Sequence, residues 1–259
     1  MAPRYADGMR WTVLSVVLVA CGPSSKVHVA DGVYWVDEPD GPATDAIVHL
    51  HGHGGDAKAT SADADWLDVV AQSGVVVAFP QGQDGSWKVS HHVEEIERDD
   101  RAFLAQVAAD LVDRYGVERV TLSGSSEGAA MVYDMLCGGP AAFDAYAPTA
   151  GAFFDAIPEV CGSDGAPLRA LHGTADSTWP LEGQDMGWGV QMSPTDTVDA
   201  LRTQWGCDPE PTVVTDAVGT CDVWACPTGP VSLCLHNGGH GMVDGAQAAL
   251  VDWITSGAW

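Results

Sequence analysis

Four short runs, Ala46–Leu50, Val75–Phe79, Val120–Ser123 and Leu168–Leu171, are apolar without polar alternation. Runs of that length predict strands buried on both faces, as in a parallel sheet. Between them, Ala62–Gln72 and Asp99–Tyr115 repeat their apolar positions at a helical period. In the second segment Phe103, Leu104, Val107, Leu111 and Val112 make one stripe, and Gly116 follows as a stop signal. Strands alternating with helices predict an α/β fold, a mostly parallel central sheet with helices on both faces. Near the end, Cys221–Cys226 and Val231–His236 flank Pro-Thr-Gly-Pro and predict a hairpin, and Ala246–Ser256 predicts a closing helix. No internal repeat interrupts this order, so residues 30–259 read as a single domain.

The N-terminus follows a different pattern. Arg4 and Arg10 precede the apolar run Trp11–Ala20, which is too short to span a bilayer and reads as a secretory signal over residues 1–20. Leu18-Val19-Ala20-Cys21 resembles the bacterial lipobox, which makes Cys21 the lipidation candidate, and Met9 is an alternative start. Residues 21–29 then form a short tether. The expected location is exported, either as an outer-membrane lipoprotein or extracellular, with membrane contact only through the lipid. Six cysteines remain after residue 21, at Cys137, Cys161, Cys207, Cys221, Cys226 and Cys234. An even number in an exported chain predicts disulfides, although about 15 pairings are possible. A net charge of −25 excludes nucleic acid as a partner. A monomer is expected.

The motif with the most chemistry is Gly124-Ser125-Ser126-Glu127-Gly128, a G-x-S-x-G between a predicted strand and a predicted helix. A serine held on a sharp strand-to-helix turn is exposed at the sheet edge, which makes Ser126 the nucleophile candidate and leaves Ser125 out of frame. A serine hydroxyl needs a base, and the base needs an orienting acid. In this architecture the chain order is Ser, then Asp or Glu, then His. Asp176 follows the strand Leu168–Leu171 across a glycine turn, and His240 lies in a glycine-rich loop after Val231–His236. His236 falls within that strand and reads as structural, whereas His172 precedes Asp176 and has the wrong order.

His49, His51 and His53 alternate as zinc ligands on a strand would, with Asp56, His91 and His92 as further supply. However, Gly54 and Gly55 stand where a metallo-hydrolase of H-x-H-x-D-H type needs an acid and a histidine. A glycine-rich loop after an early strand supplies instead a backbone donor to an oxyanion. The N–H groups of His53 and Glu127 are therefore the expected oxyanion donors, and no metal or cofactor is expected.

These motifs together resemble the secreted α/β-hydrolases known as polyhydroxybutyrate depolymerase-like or feruloyl esterase-like enzymes. The likeness runs from about residue 30 to 255, through LHGHGGD, VVAFPQG with Trp87, DDRAFL, GSSEGAAM, APTAGAF, HGTAD, WGC and NGGHG. It implies the α/β-hydrolase fold and a triad on Ser126, Asp176 and His240. It also implies a Cys137–Cys161 disulfide and a bond from Cys207 to one of the three later cysteines. Ala129, Gly241-Met242 and Glu127 depart from the residues usual in that family, and they bear on which substrate is taken.

The function this predicts is an exported serine carboxylic-ester hydrolase acting on a polyester or plant cell-wall ester, with Trp87 and Trp179 lining the substrate site. A serine peptidase or an acyltransferase would use the same residues. A non-catalytic binding lipoprotein would keep the fold but would usually lose a triad member.

Overall fold

The computed structural model describes residues 24–29, 31–89, 96–162 and 165–257. The signal segment, Cys21, His91 and His92 lie outside the described residues. In chain order the elements are β1 (Ser25–Val29), β2 (Gly32–Asp37), β3 (Asp45–Leu50), α1 (Ala57–Ser61), α2 (Ala64–Ser73) and β4 (Val75–Pro80). There follow α3 (Asp100–Tyr115), β5 (Arg119–Ser125), α4 (Glu127–Gly138), β6 (Ala145–Thr149) and β7 (Leu168–Gly173). The chain continues through β8 (Gln184–Asp185), β9 (Val190–Gln191), α5 (Pro194–Gln204), β10 (Thr212–Thr215), β11 (Thr220–Trp224), β12 (Val231–His236) and α6 (Ala246–Thr255).

Ten strands form one sheet in the order β1-β2-β4-β3-β5-β6-β7-β12-β11-β10, and β8 and β9 form a small separate hairpin. From β4 to β12 the neighbours run parallel, while both edges are antiparallel. The four apolar runs are thus the centre of the sheet, as their pattern predicts. Side chains alternate between two cores. Val48, Leu50, Val76, Ala78 and Leu122 meet α3, α4 and α5 on one face. Ile47, Val75, Val77 and Phe79 meet Trp66 and Val70 of α2 and Leu250 and Ile254 of α6 on the other.

Caps account for the helix boundaries. Asp99 accepts from the Ala102 N–H at 3.1 Å and starts α3, and Gly116 ends it at φ 65°. The stripe on α3 buries Phe103, Leu104, Val107 and Leu111, but Val112 is 44 % exposed. One residue further round than Leu111, it has passed the edge of the apolar face. The helix expected over Ala62–Gln72 is α2 and is corrected only at its start, which Asp63 sets by accepting from the Asp65 N–H, while Asp56 caps the separate α1 that precedes it. The tether expected over 21–29 is also corrected. Ser25–Val29 pairs with β2, and Val27 and Val29 pack on the larger core, so the folded domain starts at least five residues earlier than residue 30.

Three disulfides are present among the described residues. Cys137–Cys161 is the pair implied by the resemblance, and Cys207 bonds to Cys226 and Cys221 to Cys234. Three such bonds fit an oxidising, extracytoplasmic setting. Among the described residues no helix is long and apolar enough to cross a membrane.

Candidate active site

Ser126 stands between β5 and α4 at φ 59° and ψ −120°, a left-handed conformation that costs a non-glycine residue of order 1–3 kcal/mol. The flanking glycines explain how the turn is tolerated. A Cβ on Gly124 would lie 2.5 Å from the Gly128 carbonyl oxygen, and one on Gly128 would lie 2.5 Å from the Leu50 carbonyl oxygen. Strand, helix and the end of β3 therefore approach backbone to backbone, and only glycine fits at both positions. Ser125 belongs to β5, as the frame of the motif predicts.

Asp176 and His240 come from loops after β7 and β12, strands that lie side by side in parallel. Gly173 permits their approach, because a Cβ there would meet the carbonyls of Gly238 and Gly239. The Asp176 side chain is buried, and its Oδ2 accepts from His240 Nδ1 at 2.8 Å. Its Oδ1 accepts from the N–H groups of Thr178 and Trp179, both at 2.8 Å. Burial works against the charge on Asp176, but the Trp179 N–H, His240 and the Thr178 N–H outweigh it and hold the carboxyl below its ordinary value. With Nδ1 committed to the carboxylate, His240 has Nε2 left to take a proton. No hydrogen bond joins Ser126 Oγ to His240 among the described residues; such bonds commonly tighten only when substrate is bound.

The three alternating histidines separate. His49 ends in the second core, its ring tilted against Trp66 with centroids 4.8 Å apart and bonded to Ser123 Oγ at 3.1 Å, and burial pushes its pKa down to about 3. His51 is also buried. Its Nδ1 donates to the Gly52 carbonyl at 2.8 Å, and its Nε2 accepts from the Gly82 N–H at 3.0 Å. His53 instead turns outward and places Nδ1 3.0 Å from Ser86 Oγ. Each ring is therefore used on a different partner, and no group of three or more potential metal ligands occurs among the described residues.

The loop that carries them lies against the candidate nucleophile, since a Cβ on Gly52 would be 3.1 Å from the Ser126 Cβ. Neither the His53 N–H nor the Glu127 N–H donates to a protein acceptor among the described residues. Glu127 is buried, with burial pushing its carboxyl above the ordinary value against the opposing pull of Ser86, His53 and the Trp87 N–H. Sequence reasoning passed over Ser86, and in Gly-Ser-Trp-Lys nothing marks it. The only hint was the unusual acid at position 127, which needs a buried partner.

The expectation for the tryptophans is corrected. Trp87 and Trp179 are fully buried and offer no surface to a ligand. Trp87 supports the histidine loop from beneath, donating from Nε1 to the His51 carbonyl at 2.8 Å. Trp179 donates from Nε1 to the Met192 carbonyl at 2.9 Å, while its own carbonyl bonds His172 Nε2 at 2.9 Å. His172 and His236 are both buried, which lowers their pKa values.

No protein-family model and no curated protein matches the sequence. Solved structures do match. An acetyl xylan esterase from Aspergillus awamori superposes with a TM-score of 0.62 at 16 % identity, over 89 % of this chain and 98 % of its own. This chain has the α/β-hydrolase fold. A carboxylesterase from Mesorhizobium loti (TM-score 0.59, 16 % identity, 90 % of this chain and 99 % of that one) gives the same result. So does acyl-protein thioesterase 2 from Zea mays (TM-score 0.55, 19 % identity, 88 % and 100 %). In an α/β-hydrolase the turn after the central strand and the loops at the carboxyl ends of later strands face one crevice. Ser126, Asp176 and His240 occupy those positions in the chain order of the fold.

Proposed function

We propose that this chain is an exported serine carboxylic-ester hydrolase that works through an acyl-enzyme on Ser126. The observation that carries this reading is the buried Asp176 bonded to His240 at 2.8 Å, on the sheet edge that also presents Ser126 at its strained turn. Ser126 Oγ attacks the ester carbonyl while His240 Nε2 takes its proton, and Asp176 stabilises the imidazolium. The N–H groups of His53 and Glu127 hold the oxyanion, which needs donors aimed before the charge develops. His240 then protonates the leaving alcohol, and a water activated by the same base releases the acid. None of these steps calls on a metal or cofactor.

The acetyl xylan esterase and carboxylesterase likenesses support an ester substrate. The resemblance to depolymerase-like and feruloyl esterase-like enzymes narrows this to a polyester or a plant cell-wall ester. Export rests on the three disulfides and on the lipobox-like sequence ending at Cys21. The test is labelling by a fluorophosphonate probe, followed by rates on p-nitrophenyl esters, methyl ferulate and polyhydroxybutyrate. Labelling that disappears in Ser126→Ala, with hydrolysis of at least one ester, is the expected result. A protein that binds such esters without labelling or turnover would be the binding lipoprotein instead.

A further inference from the structure

Ser86 sits between two side chains that the sequence keeps far apart. Its Oγ lies 2.7 and 2.8 Å from the two carboxylate oxygens of Glu127, and 3.0 Å from His53 Nδ1. A serine hydroxyl has one proton to give. With the Glu127 carboxyl ionised, that proton goes to the carboxylate, so His53 Nδ1 must carry the hydrogen that it donates to Ser86 Oγ. His53 Nδ1 also lies 3.5 Å from Glu127 Oε1, which closes a triangle of three side chains. The Trp87 N–H reaches the same carboxylate at 3.3 Å.

The two ends of this bridge are the residues whose backbone N–H groups serve the oxyanion in the reading above. They come from separate elements, the loop after β3 and the first residue of α4, and no backbone hydrogen bond joins His53 to Glu127. The loop is fastened on its other side, where the Gly54 N–H donates to the Gly85 carbonyl at 2.8 Å. Ser86, next in the chain, links that turn to Glu127.

We propose that Glu127 and Ser86 are positioning residues that fix the spacing of the two oxyanion donors, by tying the side chain of one donor residue to the side chain of the other. This deepens the esterase reading and rests on it. An acid is a costly choice for a side chain only 4 % exposed, because desolvation of a carboxylate must be offset by its hydrogen bonds. What the ionised acid supplies is direction. It can only accept, so the proton order from His53 through Ser86 to Glu127 cannot reverse, and the His53 ring is held in one tautomer. An amide at position 127 could turn its NH2 toward Ser86 and release that order. The imidazole, 73 % exposed, would otherwise have little to hold it. Donors that must be in place before charge develops gain from such a constraint.

The test uses Ser86→Ala, Glu127→Gln and the double variant, assayed on a p-nitrophenyl ester that the wild type hydrolyses. A trifluoromethyl ketone, which adds to the nucleophile as a tetrahedral oxyanion mimic, is titrated alongside. Each single variant is expected to lose about tenfold in kcat with KM nearly unchanged, and to lose ketone affinity by a similar factor. The double variant is expected to be no worse than the poorer single one, because both interrupt one bridge. Fluorophosphonate labelling of Ser126 in each variant reports an intact elbow, so Glu127→Gln carries the test if Ser86→Ala does not fold. Variants that label and turn over like the wild type overturn the proposal alone. So does a loss of kcat with ketone affinity unchanged. A wild type that neither labels nor hydrolyses overturns the proposal together with the esterase reading.

Discussion

On one side of the site, Ser126 and the His51–Gly55 loop are set by β3, β4 and β5, and no disulfide joins described residues before Cys137. On the other, Asp176 and His240 depend on β7 and β12, and β12 is stapled to β11 by Cys221–Cys234, while Cys207–Cys226 closes the segment beside them. The difference follows burial. β3 and β4 are buried at every position, and their cores hold the large side chains Trp66, Phe79, Phe103 and Leu111. β10 is exposed at every position, and although Trp224, Val231 and Leu233 of β11 and β12 reach the larger core, the buried cluster on the opposite face of these strands is only Leu171, Val218, Cys221, Cys234 and Ala246. Where the sheet is covered on both faces, close packing places Ser126 and the loop beside it. Where it runs out to an uncovered edge, little apolar area is available and covalent closure takes over.

The largest expected effect tests the packed side. Ser126→Ala should lower kcat by several orders of magnitude and leave the fold intact, whereas Ser125→Ala, within β5, should cost little by comparison. The measurement is ester turnover together with circular dichroism, and activity retained in Ser126→Ala would remove the nucleophile from this side altogether. Next comes Gly52→Val. A Cβ at Gly52 would already press on Ser126 at 3.1 Å, and the branched carbons would push the loop away from the nucleophile. Misaiming a donor there should cost about 2.7–4 kcal/mol of transition-state stabilisation, roughly a hundredfold or more in kcat. Thermal stability measured in parallel should change far less than the rate; equal losses would mean that packing here only holds the fold.

The stapled side should respond in the opposite way. Removing Cys221 and Cys234 together as alanines opens a link between residues 13 apart, which predicts a loss of about 3 kcal/mol on chain entropy alone. Hydrogen exchange should then speed up in β10, β11 and β12 before it changes in β3 and β5. Exchange that rose uniformly across the sheet would break the distinction between the two sides.

The same contrast explains what was legible in the sequence. The central strands were plain because two-sided burial writes unbroken apolar runs, and the strained turn at Ser126 was plain because it demands glycines at fixed offsets. β6, with Pro148 and two alanines in Ala-Tyr-Ala-Pro-Thr, has no such signature, and neither has the exposed β10. β1 was lost to the tether because Ser-Lys-Val-His-Val alternates only weakly before its partner is known. Asp176 and His240 could be found from chain order, but Ser86 could not. Its importance arises from a carboxylate 41 residues away, a distance over which no local pattern operates. The tryptophans misled for a related reason: a sequence shows that an aromatic is near the site but not which way it faces.

The smallest effect is one of sign, and it sets the two sides against each other through their buried acids. Asp176 is held below its ordinary value, so the native state binds fewer protons there than the unfolded chain. Its contribution is present above the ordinary carboxylate value and is lost as pH falls through the lowered one. Glu127 is pushed above its ordinary value, so the native state binds more protons there, and ionising it on raising the pH costs stability. Urea unfolding of Asp176→Asn, Glu127→Gln and wild type across the acid range separates these contributions, because the titrations of groups in contact with neither acid cancel in each difference. The Asp176→Asn deficit should be widest near neutral pH and shrink toward acid. The Glu127→Gln difference should move the other way, with the variant gaining on the wild type as pH rises past the ordinary glutamate value. Two differences that drift in the same direction would mean that Glu127 is stabilised as an anion as Asp176 is, and the packed side would then carry no electrostatic cost.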